Sequence, residues 1–177
     1  YSTFSYCKNR YSRKEEWICT HLTWVSHVSG KRESRRVVGD YILREQDLTR
    51  PIVHEDATCT TTWRIDQHYP DPRNADKYPG EEWMSIGVLT PIDFYPLPYR
   101  CFYSKDIPNL FMAGRNISVS HIALGSTRVM RTCGLIGEVV GMAASICTKK
   151  KANPRDVYTT YFEDLKALMR KGTGRTD

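Results

Sequence analysis

The 177-residue sequence lacks the marks of several chemistries. Its six cysteines, Cys7, Cys19, Cys59, Cys101, Cys133 and Cys147, include no CxxC pair and no histidine at zinc-finger spacing, so no metal site is expected. An even count permits disulfides without arguing for them, and Cys133 and Cys147 fall within a helical pattern as small hydrophobes. No apolar run approaches the ~20 residues that cross a bilayer. The richest stretch, 135–147, is interrupted by Gly137, Glu138 and Gly141, so a soluble protein without a membrane partner is expected. No GxGxxG follows a strand, and the only GxG is Gly172-Thr173-Gly174 at the tail, so the glycine cradle for a dinucleotide pyrophosphate is missing. Internal repeats and low-complexity segments are also lacking.

What is present is a basic balance and enough apolar residues for a core. Lys and Arg number 26 against 20 Asp and Glu, and the positives gather in 31–36, in 149–155 and near the C-terminus. Such a balance can attract anions or nucleic acid, but no RNA-binding motif stands out and no nucleic-acid partner is expected. At 40% hydrophobic content the length suits one ordinary domain or pieces of two. The sequence starts at Tyr1, so it reads as part of a longer protein, and its compartment is not legible.

Periodicity organises the rest. Ser12 and Glu15 have capping-box spacing, and Trp17, Ile18, His21, Leu22, Val25 and Val28 recur at helical intervals, predicting a helix over 13–29. Strands are predicted at 37–43, 57–66, 82–89 and 97–103, pairing antiparallel, with a proline-bearing loop at 69–80. Residues 109–113 form a short apolar segment of the kind buried inside a parallel sheet. A long helix is predicted over 126–148, with Gly134, Gly137, Gly141 and Ala144 on one face. Each glycine there costs about 1 kcal/mol relative to alanine, which implies a close neighbour: a helix, a strand or a cofactor. Asn153 and Pro154 then open a terminal helix whose apolar stripe ends at Gly172.

The strongest constellation is the apolar segment 109–113, the Gly114-Arg115 turn, a loop with Ser118, Ser120, His121 and Gly125, and a helix capped by Ser126 or Thr127. A strand that turns through glycine into a helix start offers unpaired N–H groups and a partial positive charge to an anion. The run Asn109-Leu110-Phe111-Met112-Ala113-Gly114-Arg115-Asn116-Ile117-Ser118, followed by Ser126-Thr127-Arg128-Val129-Met130 and the spaced glycines, resembles the C-terminal signature of FAD-dependent oxidoreductases of the broad glutathione-reductase-like group. The segment from Gly30 to Tyr41 and the Trp63-x-x-Asp66-x-His68 stretch resemble the same family, so the likeness runs from about Gly30 to Ala144.

The resemblance implies an α+β fold: a mostly antiparallel sheet from a substrate domain (1–108), then a strand and long helices (109–177) completing an FAD-binding, Rossmann-like domain. It implies FAD as cofactor, with Gly114, Arg115, Ser118, Ser126, Thr127 and Arg128 on the flavin side, and hydride transfer to or from a small-molecule substrate. The partner implied is the missing N-terminal FAD-binding portion, without which the chain should bind FAD poorly. A homodimer of the chain alone would be another way to cover its apolar surface.

Asp66 and His68, two apart on or just past a strand, point to one face, where a carboxylate can orient an imidazole for acid–base work; a surface ion pair is the plain alternative. His121 borders the same loop, either for proton transfer or to hold the loop. Arg100 and Arg35 suit an anionic substrate or a solvated sheet edge. Two other functions stay open: a non-enzymatic anion or nucleic-acid module built on the basic segments, and a carbohydrate-associated domain using Trp17, Trp24, Trp63 and Trp83 as stacking platforms.

Overall fold

A computed structural model describes residues 2–27, 33, 35–77 and 85–173. The molecule divides into two compact units, Tyr1–Ser34 and Arg35–Asp177.

The described residues of the first unit include helix α1 (Ser2–Asn9) and a 3₁₀ turn, Lys14–Trp17. The helix expected over 13–29 is absent from its described part, because Ile18 and Trp24 remain 69% and 73% exposed. A helical stripe with no surface to bury against does not outlast the cost of nucleation. Val28 and Ser29 lie outside the described residues.

The second unit is α+β. In chain order it contains α2 (Glu45–Thr49), β1 (Ala57–Thr61), β2 (Ile65–Pro70), α3 (Asn74–Lys77), β3 (Ser85–Thr90) and β4 (Tyr95–Pro98). Four helices follow: α4 (His121–Thr127), α5 (Met130–Lys150), α6 (Pro154–Thr159) and α7 (Phe162–Lys171). Strands pair antiparallel as β1–β4 and β2–β3, two ribbons of two strands each. The strand expected over 57–66 is thus two strands that join different ribbons. Pro96 and Pro98 lie in β4, where they withhold ladder donors, and the β1–β4 register slips between Ala57 and Thr60. A 3₁₀ turn, Tyr99–Cys101, replaces the end of the strand expected over 97–103. The expected loop at 69–80 contains the end of β2 and α3; residues 78–84, including the start of the strand expected over 82–89, lie outside the described residues.

Residues 37–43 do not form a named strand. They bend at Asp40 and Tyr41 and are tied to other segments: Val37 N–H donates to Asn116 O, Tyr41 N–H to Arg100 O and Leu43 N–H to Ser118 O. Gly39 explains the fit, since a Cβ there would sit 2.5 Å from the Arg100 carbonyl oxygen. The segment expected to enter a parallel sheet, 109–113, instead makes one antiparallel bridge between Phe111 and Tyr103. Among the described residues the parallel pairing is the isolated bridge Leu43–Val119.

The expected helix 126–148 is broken at Arg128-Val129, where Val129 is extended (ψ 149°) and α5 starts afresh. Ser120, not Ser126 or Thr127, caps α4, its hydroxyl accepting from Ala123 N–H. The terminal helix has its predicted start, with Asn153 N–H bonded to Asp156 Oδ2 at 2.8 Å and Pro154 in the first turn. It breaks at Thr160-Tyr161, where the adjacent β-branched Thr159 and Thr160 disfavour helix.

The core of this unit gathers around Tyr95, Leu97, Tyr99, Phe102 and Tyr103 with Ile136, Val139 and Ala143 of α5, Val157 of α6 and Leu165 of α7. The Tyr99 hydroxyl donates to Pro154 O at 2.9 Å, so its polar end is satisfied inside that core. Thr61 ties β1 to two helices: its hydroxyl reaches Ser126 O at 3.0 Å and Thr132 Oγ1 at 3.3 Å. Contrary to the sequence expectation, α5 is long and apolar enough, by length and composition, to cross a membrane. The central helix of a folded domain meets the same description, and α5 packs one side against β1, α6 and α7.

Candidate functional site

Strand β2 places Asp66 and His68 on the same side of the β2–β3 ribbon, as residues two apart on a strand must be. Their side chains meet, with His68 Nε2 3.0 Å from Asp66 Oδ1. A third group joins from the end of α4: Arg128 Nη2 donates to the Asp66 carbonyl oxygen at 2.9 Å and to Oδ2 at 3.3 Å. One carboxylate thus has an imidazole on one oxygen and a guanidinium on the other. The helix can come this close because residue 125 is glycine; a Cβ there would lie 2.7 Å from Asp66 O and 2.9 Å from Asp66 N. The His68 side chain is 45% exposed, so the imidazole is reachable from solvent.

A second locus forms where Gly114 turns the backbone at φ +99°, a conformation that L side chains rarely adopt. Its missing Cβ would stand 3.9 Å from Cys133 Sγ on the first turn of α5. Arg115, next in sequence, is exposed, and its charge partly offsets the burial that pushes the Cys133 thiol up. Beyond Cys133, a Cβ at Gly134, Gly137 or Gly141 would meet nothing within 4 Å. The close neighbour inferred from these glycines is therefore not found among the described residues, and the three glycines stand open.

The other expected site residues lie elsewhere. Ser126 is buried and donates to Trp63 O at 2.7 Å. Ser118 and Thr127 are buried, and their hydroxyl oxygens have no partner among the described residues. Arg128 faces Asp66. His121 opens α4 and has an interaction of its own. Arg35 is exposed. Arg100 is committed to the fully buried Asp56 through Nε and Nη2, each at 3.0 Å, and stands over the rings of Tyr41 and Tyr158 at 5.5 and 5.1 Å from their centroids. Asp56, Tyr41 and Tyr158 carry no sequence signal for this role, since Asp56 and Arg100 are 44 residues apart. The Tyr41 hydroxyl is pushed up to about 12 by burial and then by its bond to Asp47.

An open groove of about 820 Å³ runs along the start of α5, with Trp63, Phe94, Val129, Met130, Arg131 and Leu135 among its lining residues. Phe94 and Met130 are 78% and 91% exposed there. Among the described residues no group of His, Cys, Asp and Glu is arranged to hold a metal ion.

The family model described as FAD dependent oxidoreductase matches residues 5–169. The chain belongs to this family of flavin-linked redox proteins. No curated protein and no solved structure matches it.

The residues present fit part of what a flavin dinucleotide needs. The open glycines Gly134, Gly137 and Gly141 admit a close planar or peptide neighbour, Arg115 supplies a cation, and the Ser118 and Thr127 hydroxyls retain hydrogen-bonding capacity. The phosphate-binding glycine fingerprint is the part this sequence lacks.

Proposed function

We propose that this protein is the C-terminal part of a flavoenzyme, related to the glutathione-reductase-like group, whose upstream portion provides the pyrophosphate site and most of a Rossmann-like FAD domain. In this reading residues 1–108 belong to a substrate domain and residues 109–177 return to the FAD domain. The observation that carries it is the positive-φ Gly114 corner close to Cys133, on an α5 whose Gly134, Gly137 and Gly141 have nothing within 4 Å of where a Cβ would stand. Gly114 and Arg115 would lie along the ribityl and phosphate part of the cofactor, with Arg115 offsetting anionic charge. When bound, FAD supplies the two-electron redox centre for an organic substrate. His68, oriented by Asp66, accepts or returns the proton that accompanies the electron pair.

The test is to express residues 1–177 with their upstream portion and follow the flavin absorbance band. A yellow protein bleached by substrate is expected, with Arg115→Ala lowering flavin retention and Asp66→Asn lowering the bleaching rate but not the flavin content. Stoichiometric FAD retained by residues 1–177 alone would overturn the division of the cofactor site between two portions.

A further inference from the structure

We propose that the groove at the start of α5 is the substrate site and that it takes an aromatic carboxylate, with the aromatic body against Trp63 and Phe94 and the anionic end on Arg131. That this ligand is the substrate rests on the flavoenzyme reading above; that the groove binds it does not.

The backbone that carries Trp63 is pinned from two sides. Trp63 lies between β1 and β2, and the Ser126 hydroxyl of α4 donates to its carbonyl oxygen at 2.7 Å. Two residues earlier, the buried Thr61 hydroxyl reaches Ser126 O at 3.0 Å and Thr132 Oγ1, on the first turn of α5, at 3.3 Å. The groove is therefore preformed on one side. Its volume of about 820 Å³ suits a small organic molecule, since ligand pockets run to roughly 300–1,000 Å³ with mainly apolar and aromatic walls and a few polar groups. Phe94 and Met130 are exposed there, so an apolar body laid on them removes apolar surface from water. Trp63 and Phe94 add the stacking geometry that favours an aromatic ligand over an aliphatic one.

Charge decides the other end of the ligand. Among the described residues the lining has Arg131 as its charged side chain and contains no Asp or Glu. Arg100, Arg128 and Arg155 are each held by a carboxylate of the fold, whereas Arg131 has no such partner among the described residues. A guanidinium presents paired donors that match a carboxylate. A neutral sugar would leave that cation unmatched and set its hydroxyls against Met130 and Leu135. Position agrees with a substrate role. Cys133, which lies beside the Gly114 corner, follows Thr132 directly, so the groove and the proposed cofactor contact share the first turn of α5.

Calorimetric titration of the flavin-free chain with 2-naphthoate and with its neutral analogue 2-naphthalenemethanol tests the assignment. Saturable binding of 2-naphthoate is expected, with the alcohol about fivefold weaker, the difference made by one charge-assisted contact at an exposed site. Arg131→Gln should erase that preference by weakening 2-naphthoate alone, and Arg131→Lys should restore part of it. Phe94→Ala should weaken both ligands by a similar factor. Both side chains are exposed, so the variants should melt as the unmutated protein does. Absence of 2-naphthoate binding, equal affinity for the two ligands, or a preference that survives Arg131→Gln overturns the inference. So does displacement of 2-naphthoate by cellobiose, which would make this a sugar groove, or by lumiflavin, which would make it the seat of the cofactor ring. A failed naphthoate titration leaves the flavin reading standing. A protein that stays colourless with its upstream portion fails that reading and leaves the groove its ligand.

Discussion

At the scale of single residues, the Asp56–Arg100 pair shows how strongly one charged contact can bind this fold. Asp56 is fully buried and receives the Arg100 backbone N–H as well as both guanidinium donors, at 2.9, 3.0 and 3.0 Å. Removing the arginine leaves a carboxylate in the interior with most of its partners gone. Arg100→Ala should therefore lower unfolding stability by about 3–5 kcal/mol in urea titrations. Arg100→Lys should recover part of that loss, having the charge but not the planar fork. A loss below ~1 kcal/mol would mean that the site is wetter than its burial implies. The sequence offered Arg100 as an anion-binding arm because nothing local tied it to Asp56. Asp66 and His68 could be read as one-sided neighbours, since a strand's period of two acts over adjacent positions. Arg128, 62 residues from Asp66, could not.

At the scale of elements, the glycines separate into two kinds that the sequence presents alike. Gly39 and Gly125 stand where a Cβ would collide with backbone at 2.5 and 2.7 Å, whereas Gly134, Gly137 and Gly141 face open space. Gly125→Ala must push α4 off β2, and a cost of about 1–3 kcal/mol is expected, together with shifted amide resonances at Asp66 and His68. Gly134→Ala or Gly141→Ala should instead stabilise the protein by about 0.4–1 kcal/mol each through reduced backbone freedom. Thermal melts of the three variants test the contrast, and a destabilised Gly141→Ala would show that a neighbour already occupies the face. Element type was legible where local chemistry decides it, as in the Asn153-Pro154 helix start and the antiparallel ribbons. It failed where distant packing decides: the first predicted helix lacks a surface to bury on, and 126–148 breaks where Arg128 turns to Asp66.

At the scale of the whole molecule, a surface ion pair joins the early and late parts of the second unit. Arg155 of α6 grips Asp40 with Nε and Nη2, both at 2.7 Å, across 115 residues of sequence. The guanidinium holds the Asp40 carboxyl below its ordinary 3.8, working against partial burial. Because the folded value is depressed, the stabilisation is present above pH 3.8 and disappears as pH falls below it through the lower folded value. Its size is limited to about 1 kcal/mol or less by solvent screening. Asp40→Asn should consequently flatten the acid limb of a stability-against-pH curve while changing the slope near neutrality little, as read from urea midpoints. An unchanged acid limb would remove the pair from the acid response. The three open glycines of α5 have a further geometric consequence. Helices that meet through ordinary side chains keep their axes about 8–10 Å apart, and a neighbour resting on Gly134, Gly137 and Gly141 would approach nearer than that, so that Cα–H groups of the backbone rather than side chains would form the contact.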